Sequence, residues 1–286
     1  MGKGGDNSRA EAVSADNQAL VSEIQEIYER LRKLESLRPS AVVNSLFTRL
    51  VRLCTPPSSV NVGFLSEEQQ VMRSNLIVLC GEAEGLLESH YAELLGRFTD
   101  PMCHVALFPY YHNYEKLALL EFSMLTSHAV PPPRRLAFVG SGPLPLSSLV
   151  LATHHMPATC FDNYDMDPLA NDLARRLVVD RADLARRMAF HSCNIMHVTG
   201  RLAEYEVVFL AALVGMEKRD KVAVLQHLGK YMTPGGFLLL RSAHGARGFL
   251  YPVVEEEEVE VEGFEVLSVV HPTDEVINSV VLARKR

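Results

Sequence analysis

Phe138-Val139-Gly140-Ser141-Gly142-Pro143 stands between a short apolar run, Leu136–Val139, and a helical stretch, Leu144–His154. Glycines at the end of a strand let the backbone approach a ligand closely, and the start of the next helix offers unpaired N–H groups. Two glycines alone are a weak signal, because a tight strand-to-helix turn without a ligand also needs them. With the acidic strand end described below, the loop is interpreted as a binding loop whose contact residues are Gly140, Ser141 and Gly142.

Strand-like and helix-like segments alternate around this loop. Such alternation predicts an α/β, Rossmann-like fold, with a parallel sheet covered by helices on both faces. Two final strand-like runs, Phe264–Val270 and Val276–Ala283, have no helix between them and are predicted to pair as an antiparallel hairpin at one edge. The other predicted strands are Leu136–Val139, Ala158–Asp165, Ala189–Ser192, Tyr205–Leu213 and Gly236–Arg241, and the helices are Leu144–His154, Pro168–Asp180 and Glu217–Leu228.

The first 130 residues lack this alternation and are predicted to be all-helical. Apolar residues from Leu20 to Leu34 recur every three or four positions, and Ser66 with Gln69 forms a capping box before a long helix of about residues 67–95. Pro131-Pro132-Pro133 ends helical structure and forms a stiff linker. The predicted organisation is a disordered tail over residues 1–19, a helical N-terminal domain over 20–130, and a Rossmann-like domain over 134–286.

Acidic residues close the second predicted strand, in Phe161–Pro168. An acid about 20 residues beyond the glycines can accept hydrogen bonds from ribose hydroxyls, so Asp165 is the candidate, with Asp162 as an open alternative. Met166 can cover an adenine face. Pro145 stands where dinucleotide-binding loops have a third glycine, and since proline cannot donate an N–H, a nucleoside without phosphates is favoured.

The stretch Met232–Arg241, with its Pro-Gly-Gly turn before the fifth strand and the final hairpin, resembles the S-adenosylmethionine-dependent transferase fold. In that fold Asn194, after the third strand, would lie near the adenine amine. An aspartate is commoner there, but an amide can also hydrogen-bond. Leu213, the last residue of the fourth predicted strand, is assigned to the same nucleoside site.

A carboxylate falls inside the apolar seam of the long helix. The seam steps by three and four residues and contains Glu84, whereas Glu82 and Glu93 fall outside it. Burial raises the pKa of a carboxylic acid, as a general base working near neutrality requires. The alternative is a glutamate paired with a basic residue across the bundle.

Two further segments supply candidate substrate contacts. Phe108–Tyr114 holds four aromatic residues, whose faces attract cations such as a sulfonium, although Phe108 and Tyr114 could equally fill the core. After the fifth strand, Arg241, His244 and Arg247 could hold a substrate carboxylate, for which a bidentate arginine is the usual solution. No histidine pair has metal-ligand spacing.

Composition excludes several classes of protein. The formal net charge is −7, without a basic stripe, which argues against nucleic-acid binding. The longest apolar run, Val207–Met216, is far shorter than the roughly 18 residues of a membrane span. The chain opens without a secretory signal. An odd number of widely spaced cysteines indicates reduced thiols, so we expect a cytoplasmic protein. These are Cys54, Cys80, Cys103, Cys160 and Cys193.

Five stretches together resemble the plant nicotianamine synthase family. They are FPYYHNY (108–114), FVGSGPLPLSSLVLA (138–152), FDNYD (161–165), VVFLAALVGM (207–216) and RSAHGARGFLYP (241–252). The resemblance covers about residues 20–283 and implies a helical N-terminal domain on a Rossmann-like S-adenosylmethionine-binding domain. It also implies condensation of three S-adenosylmethionine molecules by aminocarboxypropyl transfer, giving nicotianamine and three 5′-methylthioadenosines.

Residue roles follow from the resemblance. A glutamate and a tyrosine serve the reacting amine in related enzymes, and these roles are carried over to Glu84 and Tyr110, with Glu82 and Tyr111 as alternatives. Phe108, Arg241 and His244 are the substrate-binding candidates. S-adenosylmethionine enters as substrate and no metal is required, although the product chelates iron and other metals and so implies a role in metal homeostasis.

Two other functions stay open at this point. One is a small-molecule S-adenosylmethionine-dependent methyltransferase, and the other is a non-catalytic protein that senses the nucleoside. Glu84 and the tyrosine cluster are not needed by a generic methyltransferase, so they favour the synthase. The sequence also leaves a homo-oligomer open.

Overall fold

A computed structural model describes the backbone of residues 4–286 and the side chains from Asp16 onward. The N-terminal part is helical, as predicted, and the long third helix begins with the predicted capping box of Ser66 and Gln69. Among the described helices none is long and apolar enough to cross a membrane. The first four helices are α1 (Gly4–Leu31), α2 (Ala41–Cys54), α3 (Glu67–Leu95) and α4 (Tyr111–Ser127).

The start of α1 differs from the prediction. The backbone from Gly4 onward is helical, whereas residues 1–19 were predicted to be a disordered tail. Alanines at positions 10, 12 and 15 have high helix propensity, so the helix extends upstream of the apolar stripe that begins at Leu20. The first three residues of the predicted tail lie outside the described residues.

Seven strands form one sheet in the order β3-β2-β1-β4-β5-β7-β6. The first five strands are parallel, and β7 runs antiparallel to both β5 and β6, which confirms the α/β fold and the final hairpin. β7 inserts between β5 and β6 because its residues Val280–Ala283 are all buried, whereas β6 is only half-buried at the edge. The strands are β1 (Arg135–Val139), β2 (Cys160–Asp165), β3 (Met188–Ser192), β4 (Val207–Leu210), β5 (Phe237–Ser242), β6 (Phe264–Val270) and β7 (Ser279–Lys285).

Strand β4 is shorter than the predicted run Tyr205–Leu213. It ends at Leu210, and the chain then leaves the sheet, so that Ala211–Leu213 become wall residues of a cavity instead of strand residues. The order of the strands reverses direction between β1 and β4, which is where open parallel sheets bind their ligands.

Helices cover both faces of the sheet, and one of three buried hydrophobic clusters among the described residues contains residues of both halves of the chain. Leu117 and Leu125 of α4 belong to the same buried cluster as Phe138, Phe209 and Leu239 of the sheet. The division into two domains stays a prediction, since the helical half and the sheet share this cluster. The sheet helices are α5 (Leu146–Val150), α6 (Pro168–Val178), α7 (Ala182–Arg187), α8 (Lys218–Tyr231) and α9 (Glu256–Val261), with a π-helical turn at Leu151–His155 after α5.

Candidate active site

Two cavities meet where the helical half lies against the carboxyl edge of the sheet. The sheet-edge cavity, of about 930 Å³, is lined by the ends of the first four strands and by α3. The helical cavity, of about 530 Å³, lies among α2, α3 and α4. Four residues line both cavities and form what we call the shared wall: Glu84, Tyr114, Tyr251 and Asn278.

The glycine loop forms one side of the sheet-edge cavity. Gly140 and Gly142 have positive φ angles of 81° and 67°, which favour glycine. The N–H groups of Gly140 and Ser141 donate to the carbonyl of Tyr164, at 2.8 and 3.2 Å, and that of Gly142 donates to Asp165 at 2.9 Å. These three N–H groups are therefore not free to bind a ligand, because the carbonyl of Tyr164 and the carboxylate of Asp165 at the end of β2 accept from them. The loop offers a ligand a concave surface rather than an anion cradle.

The predicted nucleoside residues beyond the glycine loop also line this cavity. Asp165 lies at the end of β2, where its two carboxylate oxygens accept from the N–H groups of Gly142 and Asp167. The exposed thioether of Met166 stands at the rim. The structure thus brings together, around one space, Asp165, Met166, Asn194 and Leu213 with Gly140, Ser141 and Gly142.

Asp162 does not lie in this cavity. It sits in the middle of the sheet, in register with Ala137 and Ala189, three residues before the strand end, and so its carboxylate faces other side chains. The carboxylate oxygens of Asp162 lie within hydrogen-bond distance of three side chains: Arg135 at 2.7 Å, His191 at 2.6 Å and Arg201 at 3.0 Å. Burial acts to raise the pKa of Asp162, but the hydrogen bonds from His191 and Arg135 outweigh it and lower that pKa. The geometry therefore favours Asp165 over Asp162 as the residue that binds the nucleoside, and the assignment itself stays a prediction.

Glu84 lies on the shared wall, half-buried. The hydroxyl of Tyr251 donates to its Oε2 at 2.9 Å, and the hydroxyl of Tyr114 lies 3.3 Å from its Oε1. Burial raises the pKa of Glu84, while the two tyrosine hydroxyls act in the opposite direction. The alternative, Glu82, is an exposed residue at the rim of the sheet-edge cavity. The geometry favours Glu84 as the base, and the role itself stays a prediction.

A second carboxyl, Glu88, was not predicted from the sequence. It is buried one helical turn beyond Glu84, and the hydroxyl of Tyr114 lies 3.1 Å from its Oε1. Its Oε2 lies 2.6 Å from where a Cβ on Gly142 would stand, so this carboxyl touches the glycine loop. Burial first, and then the charge of Glu84, raise the pKa of Glu88 well above its ordinary value. The spacing of four residues on one helix face was the available signal.

The aromatic cluster divides between the helical cavity and the surface around it. Phe108 and Tyr110 line the helical cavity, where Phe108 packs edge-on against Tyr91 with ring centroids 5.3 Å apart. Tyr111 lines neither cavity. Burial, followed by the neighbouring carboxylate of Glu115, raises the pKa of Tyr111 to about 12. Of the two tyrosines proposed from the resemblance, only Tyr110 faces the cavity beside Glu84.

Arg241 lines the sheet-edge cavity but already holds a carboxylate of the protein. Its Nε and Nη2 donate to the two oxygens of Glu121 at 2.6 and 2.9 Å, and Nη2 also donates to Ser147 at 2.7 Å. Glu121 is fully buried. The predicted bidentate clamp therefore exists, with Glu121 of helix α4 in the place expected for a substrate carboxylate.

The two residues that follow Arg241 in the predicted substrate set lie elsewhere. His244 is exposed and stacks on His271 with ring centroids 4.1 Å apart, outside both cavities. Arg247 is buried and donates to the carbonyls of Thr55 and Asp274, each at 2.7 Å, so it ties loops together. The loop turns away from the sheet edge after Ala243, and this separates them from Arg241. The structure does not bring His244 to either cavity, and its assignment to the substrate stays a prediction that this geometry does not favour.

Two polar side-chain atoms at the sheet-edge cavity have no hydrogen-bond partner among the described residues. They are Oγ of Ser141 in the glycine loop and Nδ2 of Asn278 on the shared wall, and both atoms are buried. A buried polar atom without a partner is costly, so both atoms are suited to bind a ligand. Asn278 and Tyr251 were not predicted as site residues, although Tyr251 belongs to the quoted stretch 241–252. Within the described part of the chain, no group of three or more His, Cys, Asp or Glu could hold a metal ion.

Comparison by sequence shows the family of this chain, and comparison by structure shows its fold. The family model described as "Nicotianamine synthase protein" matches residues 13–286. A "Nicotianamine synthase" of Solanum lycopersicum is 54% identical over 273 residues, covering 96% of this chain and 86% of the relative. "Nicotianamine synthase 3" of Oryza sativa subsp. indica is 57% identical over 268 residues, which cover 93% of this chain and 78% of the relative.

One solved structure, of MtNAS in complex with MTA and tNA, shares the fold. It superposes with a TM-score of 0.77 at 21% sequence identity, covering 93% of this chain and 97% of that one. A glutamate-to-glutamine mutant of MtNAS in complex with S-adenosylmethionine gives a TM-score of 0.75 at 20% identity. The likeness extends over the helical half as well as the sheet, because it covers nearly the whole chain.

Proposed function

Because this chain belongs to the nicotianamine synthase family, we propose that its two cavities condense three S-adenosylmethionine molecules into nicotianamine and release 5′-methylthioadenosine. The chain is a transferase of the Rossmann-like, S-adenosylmethionine-using class. One observation carries the proposal: Glu84, an acid with a raised pKa, stands on the wall that the two cavities share.

The sheet-edge cavity would hold the nucleoside of S-adenosylmethionine. Asp165 stands at the strand end where ribose hydroxyls are bound in related folds, and Met166 and Leu213 offer apolar contacts to adenine. The side-chain amide of Asn194 lies in the same cavity, and its Oδ1 accepts a hydrogen bond from the N–H of Met196 at 2.9 Å. Ser141, with its unpartnered hydroxyl, completes the pocket.

The helical cavity would hold the acceptor amine. Its wall carries the aromatic faces of Tyr91, Phe108 and Tyr110, which attract cationic groups. An amine that enters from this side meets Glu84 on the shared wall, and the aminocarboxypropyl arm of S-adenosylmethionine meets it from the other side. This placement brings nucleophile, base and electrophile together, which lowers the entropic part of the barrier in a two-substrate reaction.

The chemistry then needs one proton transfer and one bond exchange in each cycle. Glu84 takes a proton from the ammonium group of the acceptor, which frees the nitrogen lone pair. The lone pair attacks the γ-carbon of the aminocarboxypropyl arm, a C–N bond forms, and the C–S bond breaks. The sulfur keeps the bonding electron pair and leaves as neutral 5′-methylthioadenosine.

Chromatography of a reaction that contains the protein and S-adenosylmethionine alone tests the proposal. We expect 5′-methylthioadenosine and nicotianamine, without any added acceptor. Formation of S-adenosylhomocysteine, or a requirement for a separate acceptor, would indicate the methyltransferase instead. Calorimetric binding of S-adenosylmethionine without release of 5′-methylthioadenosine would indicate the nucleoside sensor.

The finer expectations stay predictions. They are the role of the product in iron and metal homeostasis, the cytoplasmic location, a reaction that needs no metal, and a homo-oligomer.

A further inference from the structure

Three oxygen-bearing groups form a chain that leads from Glu84 and Tyr114 on the shared wall to Glu88 beside the glycine loop. The hydroxyl of Tyr114 lies 3.1 Å from Oε1 of Glu88 and 3.3 Å from Oε1 of Glu84. A phenol has one hydrogen to donate, so it can donate to only one of these two carboxyl groups at a time. The other carboxyl must therefore carry a proton and donate to the phenol oxygen, or lose the hydrogen bond.

The surroundings of the two carboxyl groups decide which one carries that proton. Glu84 receives a second hydroxyl, that of Tyr251 at 2.9 Å, so its ionised form has two donors. Glu88 has no donor other than Tyr114 among the described residues, it is buried, and its Oε2 faces Gly142, whose N–H is already donated to Asp165. An ionised carboxylate with so few donors is strongly destabilised in a buried position, whereas a neutral carboxyl group is not.

Charged groups on the neighbouring elements point the same way. Glu84 on α3 and Asp165 at the end of β2 both place negative charge near Glu88. The cation that faces Glu88 from β5 is Arg241, and its charge is already paired with Glu121 of α4. The remaining titratable neighbours, Tyr114 on α4 and Tyr251 after β5, are neutral phenols with pKa values well above the ordinary value.

We propose that Glu88 is a positioning residue that holds a proton and, through the hydroxyl of Tyr114, keeps Glu84 ionised and oriented toward the acceptor amine. The inference rests on the proposed function of the shared wall. It assigns the direction of each hydrogen bond: Glu88 donates to Tyr114, Tyr114 donates to Glu84, and Tyr251 donates to Glu84 from the other side.

Glu88 also links the base to the nucleoside cavity. Its Oε2 occupies the space that a side chain at position 142 would need, so the glycine loop and the hydrogen-bond chain fit together as one unit.

A pair of substitutions at position 88 tests the proposal through the release of 5′-methylthioadenosine. Glu88→Leu removes the donor to Tyr114 and should lower kcat by about 100-fold, the scale of a misplaced catalytic group. Glu88→Gln has an amide that can donate to the phenol oxygen, so it should keep most of the wild-type kcat. The fall of kcat at low pH, where Glu84 becomes protonated (the acid limb of the pH profile), should occur at the same pH as in the wild type. Glu93→Leu, an exposed change of the same kind on the same helix, is the matched control and should keep wild-type kcat.

The opposite pattern would overturn the proposal. If Glu88 were ionised in the working enzyme, Glu88→Gln would remove a negative neighbour, lower the pKa of Glu84, and move the acid limb to lower pH. Failure of Glu88→Gln to exceed Glu88→Leu in kcat would also contradict it.

A measurement without turnover separates this inference from the proposed function. Infrared difference spectra of the wild type against Glu88→Gln, at neutral pH, should show the carbonyl stretch of a protonated carboxylic acid in the wild type alone. A difference that contains only carboxylate bands would contradict the inference even in an active enzyme. A wild type that shows the carboxylic-acid band but releases no 5′-methylthioadenosine would instead contradict the proposed function.

Discussion

The side chain of Glu84 has a half-buried carboxyl group with two tyrosine hydroxyls beside it. Glu84→Gln keeps the size of the side chain but cannot accept a proton at neutral pH. We expect kcat to fall by about 10²- to 10⁴-fold, the usual contribution of a general base, with little change in the affinity for S-adenosylmethionine. Single-turnover assays and calorimetric titration measure the two quantities separately. Wild-type kcat in this variant would remove Glu84 from the role of base.

Tyr251 controls the pH dependence of the same residue. Its hydroxyl is a donor that lowers the pKa of Glu84, against the larger effect of burial. Tyr251→Phe removes that donor, so the pKa of Glu84 rises further and the protonated, inactive form persists to higher pH. We expect the acid limb of kcat to move toward alkaline pH. Tyr231→Phe, on helix α8 and away from both cavities, should leave the limb where it is in the wild type.

At this scale the sequence predicts the helix face better than the neighbours of each side chain. The three-and-four spacing places Glu84 in the apolar seam, and the strand end places Asp165 at the sheet edge. Glu88 was missed because its burial depends on the glycine loop of the other half of the chain. The position of His244 outside both cavities could not be predicted, because the direction of a loop after a strand depends on distant contacts, here the stacking on His271.

Helix α4 and strand β5 are joined by the buried ion pair of Glu121 with Arg241. Arg241→Ala leaves the fully buried Glu121 carboxylate without its partner, which should lower the free energy of unfolding by about 3–5 kcal/mol. Urea denaturation followed by circular dichroism measures this. The double variant Arg241→Met with Glu121→Leu removes both charges and should recover most of the loss. A single variant as stable as the wild type would show that the pair is not a structural link.

Helix α8 carries a buried lysine behind the loop that follows β4. The Nζ of Lys221 donates to the carbonyl of Ala212 at 2.9 Å, and burial lowers the pKa of Lys221 to about 7. A lowered lysine pKa means that the stability is complete above the unfolded pKa of about 10.4 and is lost as the pH falls through the folded pKa.

Lys221→Met should therefore reduce the pH dependence of folding on the alkaline side. The free energy of unfolding of the wild type should rise from about pH 7 to about pH 10.4 relative to that of the variant. Lys230→Met, an exposed change on the same helix, is the control and should follow the wild type. Parallel curves for the wild type and Lys221→Met would show that the buried amine does not titrate in this range.

The elements themselves are largely predictable from the sequence, because the alternation of strands and helices is a local property. The position of β7 between β5 and β6 is not, since strand order depends on contacts between segments far apart in the chain. The end of β4 at Leu210 could not be predicted from the sequence either. Ala211–Leu213 continue the apolar run, and only the cavity beside them explains why they leave the sheet.

One of the three hydrophobic clusters of the described residues passes from helices α3 and α4 into the sheet, and a second joins α1–α3 to the loop after β5. We therefore expect the helical half and the sheet to unfold together. Differential scanning calorimetry should show one transition whose calorimetric and van't Hoff enthalpies agree, the usual test of two-state unfolding. Two resolved transitions would indicate that the predicted boundary near residues 131–133 separates independent folding units.

The tyrosines that line the two cavities give this protein an intrinsic fluorescence signal for ligand binding. The chain has no tryptophan, so its near-ultraviolet emission comes from nine tyrosines. More than half of them border the two cavities, namely Tyr91, Tyr110, Tyr114, Tyr164 and Tyr251. Ligand binding in either cavity should therefore change the intrinsic fluorescence in proportion to occupancy. The rates of ligand binding and release can then be measured by stopped-flow fluorescence without an attached dye.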